Sequence, residues 1–302
     1  MKFYIGCSGW SYSVWKGPFY PSNIDSSKWL KYYSNVFDYV EIDSSFYRIP
    51  NVFAVKNWFK KTPDNFRFTA KFPKVITHDK HLVDVEKEVE VFLRAIEPLH
   101  EKTLALLIQL PPSMEIMQGL EGLRQLIPFL DNRFRYAVEV RHQSWFQDLA
   151  YNFFSNNNIC MVWSQLAGIR TPPIVTSDFL YIRFIGDRSI EEKDFGVIQK
   201  DRITEMSKWA RRIKRVETEE QHQKLNLAIV AANNHYAGFG PGTANIFRKM
   251  VGMPEAIWTE EEDKILPQQQ QKQIDDDNNI EPSVSLGRRE KKHQSKLTDF
   301  LE

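Results

Sequence analysis

A (β/α)8 barrel is the fold class this sequence predicts, on three observations. Eight short β-rich runs alternate, for the most part, with segments of helical periodicity. They occupy roughly 255 residues, the usual size of such a barrel. The first run leads into Gly6-Cys7-Ser8-Gly9-Trp10. An open doubly wound sheet, the alternative, usually carries a G-x-G-x-x-G loop at that point.

The elements follow in order. Phe3 to Ser8 reads as the first strand. A helix follows from Ser27 to Phe37, capped by Ser26 or Ser27, with Trp29, Leu30, Tyr33 and Phe37 at helical spacing. Tyr39 to Asp43 is the second strand, and a helix spans about Val52 to Lys61. Phe66 to Lys71 is the third strand, before an amphipathic helix from about Leu82 to Ile96. Leu104 to Gln109, closed by Pro111-Pro112, is the fourth, and Arg135 to Val140 the fifth. Ile159 to Trp163, Phe179 to Phe184 and Leu227 to Val230 complete the set, with a last helix from about Thr243 to Met250.

Composition sets the class of molecule. With 40 Lys plus Arg against 39 Asp plus Glu, a strongly basic nucleic-acid coat is excluded. No apolar run is long enough to span a membrane, and the N-terminus reads as a strand rather than a signal peptide. Two cysteines, Cys7 and Cys160, are too few for a disulfide framework and fit a reducing cytoplasm. Glu260 to Glu302 holds seven basic and eleven acidic residues, leaving the preceding 259 residues at +5, and only nine of those 43 residues are apolar. Such a stretch buries too little apolar surface to offset the entropy of ordering. The expected organisation is a barrel over 1–258, a disordered linker over 259–293 and a terminal peptide over 294–302.

In barrels of this type, polar residues at the carboxyl ends of strands face the active-site mouth. Here those ends supply Ser8 and Trp10, Glu41 and Asp43, Lys71, Gln109, Glu139 with Arg141 and His142, Ser164, Arg183, and Asn233-Asn234-His235. Glu41, Asp43, Glu139, His142 and His235 are the candidate catalytic groups. Glu41 and Glu139 suit an acid/base pair flanking a scissile bond. Three carboxylates with His78, His142 and His235 are also able to hold a divalent metal, the candidate cofactor, although their spacing is not diagnostic. Lys71, Arg141 and Arg183 suit an anionic group. Tyr47, Trp10 and Trp145 are candidate stacking surfaces, alongside Ser8, His78, Gln109, Asn233 and Asn234 as substrate contacts. For Arg183 with Glu139, and for Glu139 with Arg141 on one face of one strand, a structural ion pair is the plain alternative. Cys7 reads as a barrel-filling residue more readily than as a nucleophile. The Gly-rich run His235 to Pro241 leads into the last helix, whose N-terminus is where many barrels hold phosphate.

These residues carry a resemblance. Gly6 to Tyr12, Trp15-Lys16-Gly17-Pro18-Phe19-Tyr20-Pro21 and Val40 to Tyr47 resemble the YecE-like family, domain of unknown function 72. So do Lys71-Phe72-Pro73 with Thr77-His78, Gln109 to Ser113, Ala137 to His142 with Ser144-Trp145, Tyr181 to Phe184 and Asn233 to Phe239. The resemblance implies a TIM-type barrel with a site-like rim and implies no particular reaction. The chain departs from the usual pattern at Asp43, where Asn is commoner, and at Ile185-Gly186.

The terminal peptide resembles a second pattern. Gln294, Leu297, Phe300 and Leu301 stand as in a PIP box, the peptide that docks on the PCNA-type sliding clamp, with Leu301 replacing a second aromatic. One helical turn would present Leu297, Phe300 and Leu301 as an apolar plug while Gln294 reaches a polar pocket. The expected function is a barrel recruited to the clamp and to DNA, hydrolysing a phosphoester or N-glycosidic bond in nucleic acid or a nucleotide-derived substrate. The alternatives are a non-catalytic clamp-binding module and a small-molecule sugar or sugar-phosphate enzyme. A clamp of this type points to an archaeal cytoplasm, or to a nucleus in a eukaryote.

Overall fold

Alternation along the strands organises the molecule, because successive side chains of a strand point to opposite faces. The computed structural model describes residues 1–166, 168–219 and 225–258. The expected linker and clamp peptide lie outside the described residues. In chain order the strands and helices are β1 (Lys2–Ser8), α1 (Trp29–Val36), β2 (Tyr39–Ile42), α2 (Val52–Lys61), β3 (Arg67–Lys71), α3 (Glu86–Ile96), β4 (Thr103–Gln109), α4 (Ile116–Leu126), β5 (Tyr136–Glu139) and α5 (Asp148–Asn156). They continue as β6 (Cys160–Met161), β7 (Trp163–Leu166), β8 (Ile169–Arg170), β9 (Phe179–Gly186), α6 (Ile203–Thr218), β10 (Leu227–Ala232), α7 (Asn234–Ala237) and α8 (Gly240–Met250).

Each of the eight β-rich runs in the sequence contributes to one mixed α/β fold. The strands form a single ten-stranded sheet in the order β6-β5-β4-β3-β2-β1-β10-β9-β7-β8. The pairings are parallel except β7 with β8, a short antiparallel return through Gly168 at φ +74°. The sixth run is split: Val162 separates β6, which pairs with β5, from β7, which pairs with β9.

The sheet curls strongly. Arg183 on β9 and Glu139 on β5 are in direct contact, although six strand spacings separate their strands in the sheet order, about 29 Å if the sheet were flat. Its concave face packs Tyr4, Tyr39, Leu107, Ala137, Tyr181 and Ile229 against one another. The convex face presents Ile5, Val40, Phe68, Leu106, Val138 and Ile182 to the helices. Gly6 is required where β2 crosses closest, since a Cβ there would lie 2.0 Å from the Tyr39 carbonyl oxygen.

Three helix boundaries differ from the sequence reading. The first α-helix begins at Trp29, after a 3₁₀ turn over Ser26–Lys28 whose cap is Asp25, accepting from the Ser27 N–H, rather than Ser26 or Ser27. The third helix begins at Glu86, not Leu82, because His81, Leu82 and Asp84 have positive φ, which a right-handed helix excludes. The last helix begins at Gly240 rather than Thr243. No helix among the described residues is long and apolar enough to cross a membrane.

Candidate functional site

The period-two rule stacks the concave face into tiers. Tyr39, Thr69 and Tyr181 form a hydroxyl triangle, with separations of 2.7, 2.7 and 3.1 Å. Two residues further along β2 and β9 stand Glu41 and Arg183, and the matching position on β5 is Glu139. Arg183 is 2% exposed, and each of its three nitrogens donates to a buried carboxylate. Nε and Nη2 donate to the two Glu41 oxygens at 2.8 and 2.6 Å, and Nη1 donates to Glu139. Glu41 also accepts from Ser8 Oγ at 2.6 Å and Tyr181 OH at 2.5 Å.

The network continues outward from Glu139. Arg141 Nε donates to it at 2.6 Å, and Arg141 Nη2 donates to Gln109 Oε1 at 2.8 Å. Gln109 Nε2 stands 3.5 Å from His78 Nε2, whose Nδ1 lies 2.8 Å from Thr77 Oγ1. Beside this chain, Lys71 Nζ sits 3.4 Å from Asp43 Oδ1 and 3.7 Å from the Phe46 ring centre.

Burial and charge set the protonation states. Burial opposes ionisation of Glu139, but Arg141 and Arg183 outweigh it and hold the carboxyl down at about 2. Burial opposes the charge of Arg183 too, and Glu139 with Glu41 raises its guanidinium well above the ordinary range. Burial lowers Lys71, against the pull of Asp43. Burial, with Lys71 and Arg141 close by, lowers His78 to about 4, so it is neutral near pH 7.

A cleft of about 350 Å³ opens over the ends of β1, β2 and β10. Trp10, Asp43, Tyr47, Asn233 and His235 line it, as the sequence predicts for the rim. His235 Nδ1 lies 2.9 Å from the Ile190 carbonyl oxygen. A carbonyl only accepts, so Nδ1 carries the proton and Nε2 of the neutral ring is left as the acceptor. Phe195 holds the ring edge to face at 4.9 Å. Tyr12, Arg188, Glu192 and Phe195 also line the cleft and were not legible as site residues. Arg188 sits at φ +58° in the segment after β9, where no motif marks it.

Several expectations are corrected by geometry. Arg183 is not open to a substrate anion, because it is buried with each nitrogen turned to one of two buried carboxylates. Its guanidinium also occupies the space between Glu41 and Glu139, so these carboxylates do not flank an open gap for a scissile bond. Trp145 is fully buried, with Nε1 donating to the Met114 carbonyl at 2.9 Å and its ring stacked on Phe154. Asn234 is 1% exposed, and its Oδ1 accepts from Trp15 Nε1 and from the Gly240 backbone N–H. That second bond takes up an N–H at the start of α8, where the sequence suggested a phosphate. His142 caps the short 3₁₀ turn Gln143–Trp145 through Nδ1 and stays partly exposed. Cys7 fills the convex layer rather than the barrel interior, and burial pushes its thiol up. Among the described residues no three His, Cys, Asp or Glu side chains gather as a metal-binding group. Tyr181 and Thr69 were missed, although Tyr181 precedes Arg183 by two residues and so shares its face.

Comparison with known proteins places the chain. The family described as "Protein of unknown function DUF72" matches residues 4–271. The UPF0759 protein YecE of Escherichia coli is 34% identical over 146 residues, 47% of this chain and 50% of that protein. The UPF0759 protein YunF of Bacillus subtilis is 30% identical over 154 residues, 49% of this chain and 54% of that protein. The chain thus matches about half the length of these curated relatives, which are bacterial. The crystal structure of a DUF72 family protein from Thermotoga maritima superposes with a TM-score of 0.69 at 29% identity, covering 83% of this chain and 99% of that one. A DUF72 family protein from Enterococcus faecalis shares the fold at 20% identity, with a TM-score of 0.67 over 84% of this chain and 96% of that one. A family match over nearly all the described residues, on a shared fold with a polar mouth, shows that this chain belongs to the DUF72 family.

Proposed function

We propose that this chain is a hydrolase, acting in the cleft over β1, β2 and β10 on a phosphoester or N-glycosidic bond of nucleic acid or a nucleotide-derived substrate. The observation that carries this reading is His235, whose Nδ1 is tied to the Ile190 carbonyl while the ring lines a cleft shared with Asp43. Such a ring takes a proton from water at Nε2, the work of a general base. Arg188, which makes no ion pair among the described residues, supplies a cation at the cleft for anionic charge. Trp10 and Tyr47 offer ring faces to a base or sugar. The buried Glu41–Arg183–Glu139 network holds the floor, and Lys71 holds Asp43. The test is release of phosphate or free base from a panel of nucleotides, nucleosides and oligonucleotides by the wild type and His235→Ala. Loss of turnover by about 10²-fold or more, at unchanged melting temperature, is expected for a general base. Turnover of no panel member, or equal turnover by the variant, would refute the reading.

Two finer statements belong with this proposal. The first is that the curled sheet closes as an eight-stranded barrel. Supporting it, only Val162 separates β6 from β7, and its N–H donates to the Val138 carbonyl at 2.9 Å. The second is that residues 259–293 tether a clamp-binding peptide at 294–302. Titration calorimetry against the host's sliding clamp checks this. The wild type is expected to bind, and a Leu297→Ala/Phe300→Ala variant is expected not to. Equal heats from the two proteins would sink the idea.

A further inference from the structure

The segment from Ser44 to Pro63 contains Arg48, Lys56, Lys60 and Lys61 and no acidic residue. Of these, Lys61 has a structural role, since its Nζ donates to the Ser27 carbonyl at 2.8 Å. Arg48, Lys56 and Lys60 are exposed and have no ion-pair partner among the described residues. On α2, Phe53, Lys56 and Lys60 fall at i, i+3 and i+7, on one face of the helix. Phe53 is 83% exposed and Tyr47 75% exposed. Two like charges at i, i+4 weaken an isolated helix, and a bare phenylalanine gains nothing from water. This surface therefore carries features that its own fold does not use.

One member of this surface reaches the cleft, and the helix that carries Phe53, Lys56 and Lys60 is packed against it. Tyr47 lines it directly, and Trp58, on the other side of α2, packs edge to face on the cleft residue Trp10 at 5.4 Å. Unpaired cations beside exposed ring faces match the chemistry of a strand with bare bases and a phosphate backbone. We propose that Tyr47, Arg48, Phe53, Lys56 and Lys60 form a ramp that binds single-stranded nucleic acid and leads it to the cleft. The inference deepens the hydrolase reading, on which it rests for the destination of the strand, by naming the substrate as a polymer with unpaired bases.

Binding is read without turnover, so a failure of this inference and a failure of the hydrolase reading are seen apart. Fluorescence anisotropy of a labelled 20-nucleotide oligothymidylate is measured with the full chain over a salt series. Neutralising about three phosphates gives a slope of log affinity against log salt of roughly −2. Phe53→Ala is expected to weaken binding at least about fivefold, as loss of one stacked base does. Lys56→Glu/Lys60→Glu is expected to weaken it about tenfold or more and to flatten the slope. Both variants are expected to turn over a mononucleotide-sized substrate as the wild type does. Three results would overturn the proposal: unchanged binding in both variants, equal affinity for duplex of the same length, or equal competition by poly-glutamate. The last would mark a generic polyanion surface.

Discussion

Removing the Arg183 guanidinium is the sharpest test of how the site is held together. In Arg183→Met the aliphatic stem is kept and the fork that donates to Glu41 and Glu139 is lost. Both carboxylates are fully buried. Glu139 is held from its usual 4.5 down to about 2, a difference worth about 3 kcal/mol, against which burial already works. Breaking a buried pair by deleting one partner costs about 3–5 kcal/mol. For a body of this size that lowers the melting temperature by roughly 6–20 °C. The pH dependence carries the sign. In the wild type the depressed Glu139 contributes fully above the unfolded value, near 4.5, and its contribution is lost only as pH falls towards 2, so between pH 5 and 7 it adds no slope. In the variant Arg141 alone opposes burial at Glu139, so this carboxyl is held down less firmly and its contribution is lost at a higher pH as the solution is acidified. Urea denaturation followed by circular dichroism at pH 3, 4, 5 and 7 measures both effects. A loss below about 1 kcal/mol with no new pH slope would refute the reasoning, because it would mean that Arg183 does not neutralise the buried pair.

Gly119→Ala places a Cβ 2.2 Å from the Trp145 ring, and overpacking of this kind costs about 1–3 kcal/mol. A thermal melt with near-ultraviolet dichroism should show both the loss and a changed tryptophan signal, and an unchanged melt would mean that the ring yields freely. His78, lowered to about 4 chiefly by burial, should stay neutral from pH 8 to 5 in an NMR titration. The unfolded imidazole takes up its proton near 6.5, so this residue's contribution to stability should shrink as pH falls from about 6.5 towards 4. A titration midpoint above 6 would contradict the described surroundings of the ring.

The strands were legible because a parallel sheet covered on both faces reads as near-continuous apolar runs, and Thr103–Gln109 is a clear case. The polar rim was legible for a related reason. Glu41, Glu139 and Arg183 interrupt such runs at their carboxyl ends, where a charge needs a purpose. The pairs Arg183–Glu139 and Glu139–Arg141 were open to the sequence as structural ion pairs and both form, whereas the meeting of Arg183 with Glu41 was not. Arg183 lies 142 residues from Glu41, and only the curl of the sheet brings them together. Burial of Trp145 and Asn234 was hidden as well, since each sits in a helical turn too short for periodicity to mark a buried face. The start of α3 was misplaced because Leu82 fits the helical period, while the positive φ of His81, Leu82 and Asp84 is a matter of how the turn packs. Arg188 came from a loop, where periodicity gives no signal at all.

The pairing of β1 has a consequence for how the chain is made. β2 covers only Cys7 and Ser8 of β1, whereas β10 pairs with Lys2 through Cys7. Lys2 and its partner Leu227 are 225 positions apart. At ordinary rates of synthesis β1 waits roughly 10–45 s on the ribosome before β10 exists to cover it. During that interval a strand containing Phe3, Tyr4 and Ile5 has an open edge, the kind of surface on which nascent chains aggregate. Long-range closure of this sort also makes for slow folding. A chaperone that shields apolar strands should therefore matter most for the first residues of this protein, far in sequence from the turns that complete its site.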